Sequence, residues 1–229
     1  MEKLIHQVWW KALGVLLLIY VFTAGMLIPL KPGILTVTPG AGRTGTSVTL
    51  QIEGYNTHFK TAGDSMRCWL KLEEDKVIVA QQVVSQEEHL ATATFLIPDY
   101  LPASDKACAM SIIVDNAVDG AIVRPSAIII TQDSIDPDMG RQVWKDASID
   151  DLHRYDGMTF PFRNILYESI RNTYYHVSLW LAMMIIFIAA MVFSVRYLRN
   201  MYAPYDYWAK ALTQVGLLLG ILGLVTGAI

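Results

Sequence analysis

Apolar positions along the chain follow two different patterns. Residues 12–30, 177–195 and 211–229 each run 19 positions without a charged side chain. At 1.5 Å per residue that is about the thickness of a hydrocarbon core of ~30 Å, so the pattern predicts three transmembrane helices. Between the first two blocks the period changes to alternation over short runs. "SVTLQIEG", "MRCWLKLEE", "ATATFLIP", "AMSIIVDN" and "SAIIIT" read as strands, and the turn residues between them have the spacing of an antiparallel sandwich.

The first apolar block follows Lys3 and Lys11 and contains Thr23, Ala24 and Gly25, which gives it the look of a signal peptide. Its length argues for a retained anchor. A cleaved segment has an apolar region of ~7–15 residues, and this one continues into Met26, Leu27 and Ile28. The segmentation is an anchor over 1–30, a sandwich over 31–132, a linker over 133–163 and two transmembrane helices over 164–229. In the linker Pro137, Gly140, Gly157 and Pro161 break any long helix, and Trp144 and Tyr155 are candidate anchors at a membrane surface.

Charge adds an orientation. Lys3 and Lys11 flank the first helix, while Arg196, Arg199 and Lys210 lie in the link between the second and third, and both places are expected on the cytoplasmic side. The segment between them then lies outside, with 13 Lys and Arg against 19 Asp and Glu, an acidic balance that disfavours nucleic acid as a partner. Cys68 and Cys108 both fall there, where a disulfide is permitted; two buried thiols are the alternative. Nothing resembles a nucleophile with its base, a phosphate-binding loop or a metal cluster, so an enzyme is not expected. His58, His89 and His153 read as isolated surface residues, and Trp69 as a core residue.

The second apolar block opens with "RNTYYHVSLW". Apolar positions at Ile165, Leu166, Ile170 and Tyr174 keep a helical period, which predicts a helix beginning near Asn164, outside the membrane. It places His176 at the outer mouth, with Asn172 one turn above on the same face. In the plain reading Arg171 reaches to head groups and His176 sits beside Tyr174, Tyr175 and Trp180 at the interface. In the sharper one the imidazole is an axial donor to haem iron, Arg171 pairs a propionate and the aromatic residues pack on the porphyrin. In the third block Gly216, Gly220, Gly223 and Gly227 form a small-residue series that admits a close helix neighbour, with Gln214 able to hydrogen-bond across the contact.

Two resemblances sharpen this. "VTPGAGRTGTSVTLQIEGYN" resembles the opening of IPT/TIG domains, which are immunoglobulin-like. "NILYESIRNTYYHVSLWLAMMIIF", followed after a basic link by "QVGLLLGILGLVTGAI", resembles the helices of the cytochrome c assembly proteins and is most similar to the cytochrome c maturation protein C (haem exporter protein C) family. In that family an arginine stands five residues before a histidine, which is followed by a hydrophobic residue, a small residue or proline, and soon a tryptophan. Arg171, His176, Val177, Ser178 and Trp180 fit. The resemblance implies that His176 is an axial haem ligand, that Arg171 has a propionate or structural role, and that Trp180 packs on the porphyrin. It implies transient haem as cofactor, a bacterial inner membrane with the N-terminus cytoplasmic and the sandwich periplasmic, and as partners a periplasmic haem chaperone and other cytochrome c maturation components.

The family's tryptophan-rich loop and second ligating histidine come after the helix that ends here at "LVTGAI". The sequence is expected to be the first half of a longer protein, one part of a split gene whose partner chain supplies that loop, or a relic. The expected class is therefore a membrane α-helical protein with three transmembrane helices and an inserted all-β immunoglobulin-like sandwich on the outer face. Its expected function is haem delivery in cytochrome c biogenesis. The alternative is a membrane-anchored interaction module whose sandwich binds a protein or a glycan.

Overall fold

A computed structural model describes residues 2–73, 76–144, 149–166 and 169–227, without the side chains of 2–8, 10 and 73. Glu74 and Asp75 of the expected "KLEEDK" turn, and the terminal Ala228 and Ile229, lie outside the described residues. The chain forms two compact units. One is Leu30–Asn164; the other joins Met1–Pro29 to Ile165–Ile229.

The first unit is a β-sandwich. Its strands are β1 (Gly33–Thr38), β2 (Ala41–Arg43), β3 (Ser47–Tyr55), β4 (Arg67–Glu73), β5 (Lys76–Val79), β6 (Gln82–Glu87), β7 (Leu90–Leu96), β8 (Ala107–Asn116) and β9 (Gly120–Thr131). They make a four-stranded sheet in the order β1-β3-β7-β6 and a five-stranded sheet in the order β2-β9-β8-β4-β5. Short β2 pairs parallel with β9 and the remaining ladders are antiparallel. Renamed by letter, with β2 as an offshoot of the first strand and β5 as C′, this is the immunoglobulin arrangement of A-B-E-D over G-F-C-C′.

Alternation produces the sandwich. Along β3, Val48, Leu50 and Ile52 turn inward while Ser47, Thr49 and Gln51 turn out. They meet Ala91, Ala93 and Phe95 of β7, and from the other sheet Leu70, Met110, Ile112, Val114, Ile128 and Ile130, in one core. On the outer face of β3 and β7 the hydroxyls of Thr49 and Thr94 bond across the ladder at 3.1 Å.

Residues 133–164 belong to this unit, in place of the linker expected over 133–163. Gln132 is buried and begins the attachment: its Oε1 accepts from Leu101 N at 3.0 Å, and its Nε2 donates to the Ala103 and Asp105 carbonyls. A short helix follows, α3 (Pro137–Val143), with Asp136 as its N-cap, accepting from the amides of Asp138 and Met139. Gly140 seats this helix on the backbone of Leu101, where a β-carbon would come within 2.3 Å of the carbonyl oxygen. Trp144 is therefore no interfacial anchor. It is 4% exposed and packs into the sandwich core, where indole area is worth more than at a wet surface. Further on, Lys31 N donates to Phe160 O at 2.8 Å beside a bridge between Leu30 and Phe160, and the rings of Tyr55 and Phe162 stack at 5.5 Å. The strand entering the sandwich and the segment leaving it lie side by side.

The two cysteines are reduced, and the bridge between them is not made. Cys68 on β4 stands opposite Val114 of β8, six positions from Cys108, which separates them by about 20 Å, well beyond disulfide reach. The Cys108 thiol donates to the Asp105 carbonyl at 3.5 Å.

The second unit is helical. Besides the one-turn α2 (Phe59–Ala62) of the sandwich, the long helices are α1 (Glu2–Leu27), α4 (Ser169–Asn200) and α5 (Ala203–Gly227). Among the described residues, α4 and α5 are long and apolar enough to cross a membrane. α1 ends at Leu27, three residues before the end of the expected block, where Pro29 disfavours a helical Ile28, and Leu30 is buried in the sandwich unit. The described part of α4 starts at Ser169; residues 164–166 form a turn, and Tyr167 and Glu168 lie outside the described residues. Asn164 is held by the sandwich, donating its side-chain amide to Leu35 O at 3.2 Å.

Candidate functional site

The α4–α5 hairpin is built on a glycine seam. Facing positions repeat at four, three and four residues on both helices. A β-carbon at Gly216 would lie 2.7 Å from the Phe187 ring, at Gly220 3.0 Å from Met183 Sδ, at Gly223 3.1 Å from Trp180 Nε1, and at Gly227 2.5 Å from His176 Cε1. Each α4 side chain thus fills a notch that a missing α5 side chain leaves, the close approach that such small-residue spacing permits. The partner the series was expected to admit is α4 of the same chain. Gln214 is exposed and faces away from this contact.

His176 ends the seam. Its Nδ1 lies 2.9 Å from Gly223 O and 3.3 Å from Thr226 Oγ1. A carbonyl oxygen only accepts, so Nδ1 carries a proton, and in the neutral ring Nε2 is then the lone-pair nitrogen. Among the described residues Nε2 has no hydrogen-bond partner. Trp180 meets the imidazole edge-on, with ring centroids 6.0 Å apart, and is 37% exposed. One turn earlier Asn172 donates its side-chain amide to Thr226 O.

Arg171 points elsewhere. Its Nη1 donates to the carbonyls of Gly25, at 2.9 Å, and Ile28, the orphan acceptors at the C-terminal end of α1. The adjacent Tyr175 hydroxyl donates to Phe22 O at 3.0 Å and fits against Gly25, where a β-carbon would strike it. Of the three residues expected to form a site, His176 and Trp180, both on α4, meet against α5, and Arg171 fastens α1 to α4.

A polar cluster in the sandwich has no counterpart in the sequence reading. Asp115 and Asp119, at the two ends of the β8–β9 turn, are both 0% exposed. Each is clasped by the backbone amide and Nδ1 of one histidine. His153 N and Nδ1 donate to Asp115 at 2.8 and 2.9 Å, and His58 N and Nδ1 to Asp119 at the same two distances. Arg67 adds its Nε to Asp115 at 3.1 Å and stacks 5.2 Å over the ring of Trp69, which it covers. Its Nη2 reaches Asp115 and the carbonyl of Asp151. Burial raises the Asp115 carboxyl, but the hydrogen bonds from His153 and Arg67 outweigh it and hold the group below the ordinary carboxylate value. The partners lie 38 and 48 residues from Asp115 along the chain, and no short-range motif joins them. An Asp–His pair alone is no catalytic device. Here it pins residues 150–153 against the five-stranded sheet, and no group of three or more potential metal ligands occurs among the described residues.

No family model matches the chain, and no curated protein matches it. Among solved structures, a superoxide reductase (neelaredoxin) from Ignicoccus hospitalis aligns with 47% of this chain and 85% of its own, at 10% identity and a TM-score of 0.28. The Lin-41 filamin domain aligns with 48% of this chain and 97% of its own, at 6% identity and a TM-score of 0.25. Likenesses this slight carry no argument.

Proposed function

We propose that the chain handles haem at a membrane surface, with His176 as an axial donor, in the manner of the cytochrome c maturation proteins that its helices resemble. The observation that carries the reading is the tautomer. With Nδ1–H committed to the Gly223 carbonyl, Nε2 is the nitrogen able to ligate, and the hydrogen bond on the far side of the ring raises its basicity. The donor chemistry fits one axial position of a haem iron. Haem would supply an iron whose axial ligand is exchanged on loading and release, with no bond of the macrocycle altered.

In this reading α1, α4 and α5 span a bacterial inner membrane, the N-terminus is cytoplasmic, and the His176 end faces the periplasm. There the haem is passed to a chaperone of cytochrome c maturation. Trp180 offers a flat apolar edge beside the imidazole. Arg171 takes the structural one of its two expected roles, because the α1 carbonyls engage its guanidinium. The inserted sandwich, of IPT/TIG type, is the docking or spacing module. The test is the visible spectrum of the full chain in detergent, titrated with haem, beside His176→Ala. A Soret band present in the first and lost in the second is expected; a band of equal strength in both refutes the assignment.

A further inference from the structure

We infer that the last turn of α5 is a positioning device for His176, with Gly227 and Thr226 as the residues that fix the orientation and tautomer of its ring. Of the four side chains in the glycine seam, Met183 and Phe187 need only space; Trp180 carries an indole N–H, and His176 an imidazole whose Nδ1–H needs an acceptor. Gly223 O is that acceptor. A helix carbonyl already accepts the N–H four residues on and keeps a second lone pair, and glycine at 223 and 227 leaves room for the imidazole to reach it.

Thr226 backs the arrangement. Its hydroxyl lies 3.0 Å from both Leu222 O and Gly223 O; with its one proton given to Leu222 O, the common back-bond of a helical threonine, the oxygen faces Nδ1 at 3.3 Å with a lone pair. Nδ1–H then faces two acceptors, and a proton on Nε2 instead would forfeit the bond to the Gly223 carbonyl, which can only accept. Gly227 supplies the room. A β-carbon there would stand 2.5 Å from Cε1 and 3.0 Å from Nδ1, so the ring would have to turn or α5 withdraw, and either breaks the bond to Gly223. Neither residue has a side chain able to ligate iron. They act through His176.

The tautomer stands on the helical unit alone; its use in ligation rests on the haem reading, and the experiment separates the two. The full chain, labelled with 15N-histidine and held in detergent without haem, is measured by NMR, with His176→Gln to assign the signal among the five histidines. Haem is then titrated into each variant. Wild type is expected to show one neutral tautomer, protonated on Nδ1. Gly227→Ala is expected to show Nε2–H or a mixture, with haem affinity lowered ~10–100-fold, as for loss of other outer-shell partners. Thr226→Val, which keeps the volume and strips the acceptor, moves both readouts the same way by less, and serves where Gly227→Ala fails to fold. Gly220→Ala is the control, meeting only the flexible Met183 sulfur at 3.0 Å, and leaves the tautomer as in wild type. An Nε2–H or mixed tautomer in wild type, or an unmoved signal in both Gly227→Ala and Thr226→Val, overturns the inference. The expected tautomer pattern in a chain that takes up no haem supports the positioning device and removes the haem reading.

Discussion

Replacing Asp115 by asparagine tests how the 150–153 segment is held. The carboxylate accepts from four donors, His153 N and Nδ1 and Arg67 Nε and Nη2, and an amide can accept on its oxygen only. Its NH2 would face donors. A hydrogen bond to a charged group is worth ~1.5–3 kcal/mol, and a buried donor left without a partner costs a similar amount. His153 and Arg67 are 42% and 39% exposed, so water recovers part of the loss, and a net cost of about 2–4 kcal/mol follows. The assay is amide hydrogen exchange by mass spectrometry on the full chain in detergent, following peptides across 149–164. Local opening at that cost speeds exchange about 30- to 900-fold where the segment opens independently of the sandwich. The pH dependence supplies a second sign. The native carboxyl lies below its unfolded value of ~3.9, so its stabilisation is complete above that pH and disappears as the pH falls through the native value. The asparagine variant should lack that acid limb. Exchange within two-fold of wild type, with the acid limb intact, would refute the reasoning.

Two further outcomes follow from burial. Trp144→Ala should cost about 3–5 kcal/mol in denaturant unfolding of the sandwich, whereas Trp144→Phe should cost much less, since the indole N–H has no partner among the described residues; equal losses would count against a purely apolar role. Cys68 should resist alkylation in the native chain and react on unfolding, because burial both shields the thiol and pushes its pKa up, and a non-reducing gel should show no intrachain bridge to Cys108; rapid native labelling would contradict this.

The central strands were legible because their cause is local. Val48, Leu50 and Ile52 alternate with polar neighbours whatever lies elsewhere in the chain, and the same holds for Ala91, Ala93 and Phe95. In β8 alternation fails after Ser111, as Ile112 through Asn116 are all buried; residues arriving from 149 onward cover the outer face, where Ile149 packs on Trp69, Val77 and Ile113. That cover was illegible for one reason. Its contacts, Arg67 with Asp115 and His153 with Asp115, join residues far apart in sequence, so each member looked like an isolated polar residue. Trp144 was misplaced similarly: aromatic residues suit a membrane surface or a core equally well, and only the approach of Gly140 to Leu101 decides between them. His176 stood out by its position before an apolar run. The acceptor that fixes its tautomer, 47 residues away on the backbone of Gly223, left no mark in the side-chain pattern.

The adjacency of Leu30 and Phe160 bears on how such a chain comes to exist. A flexible loop of on the order of 130 residues costs about 3 kcal/mol more to close than one of five, since closure entropy grows as the logarithm of length. Folding Leu30–Asn164 into a unit whose entrance and exit are tied by the Lys31–Phe160 hydrogen bond removes that difference. To α1 and α4 the whole sandwich then counts as a tight turn. A domain with this property can be gained, lost or exchanged between two helices at little thermodynamic consequence for their pairing, so its recognition properties can diverge while the helical unit stays under its own constraints.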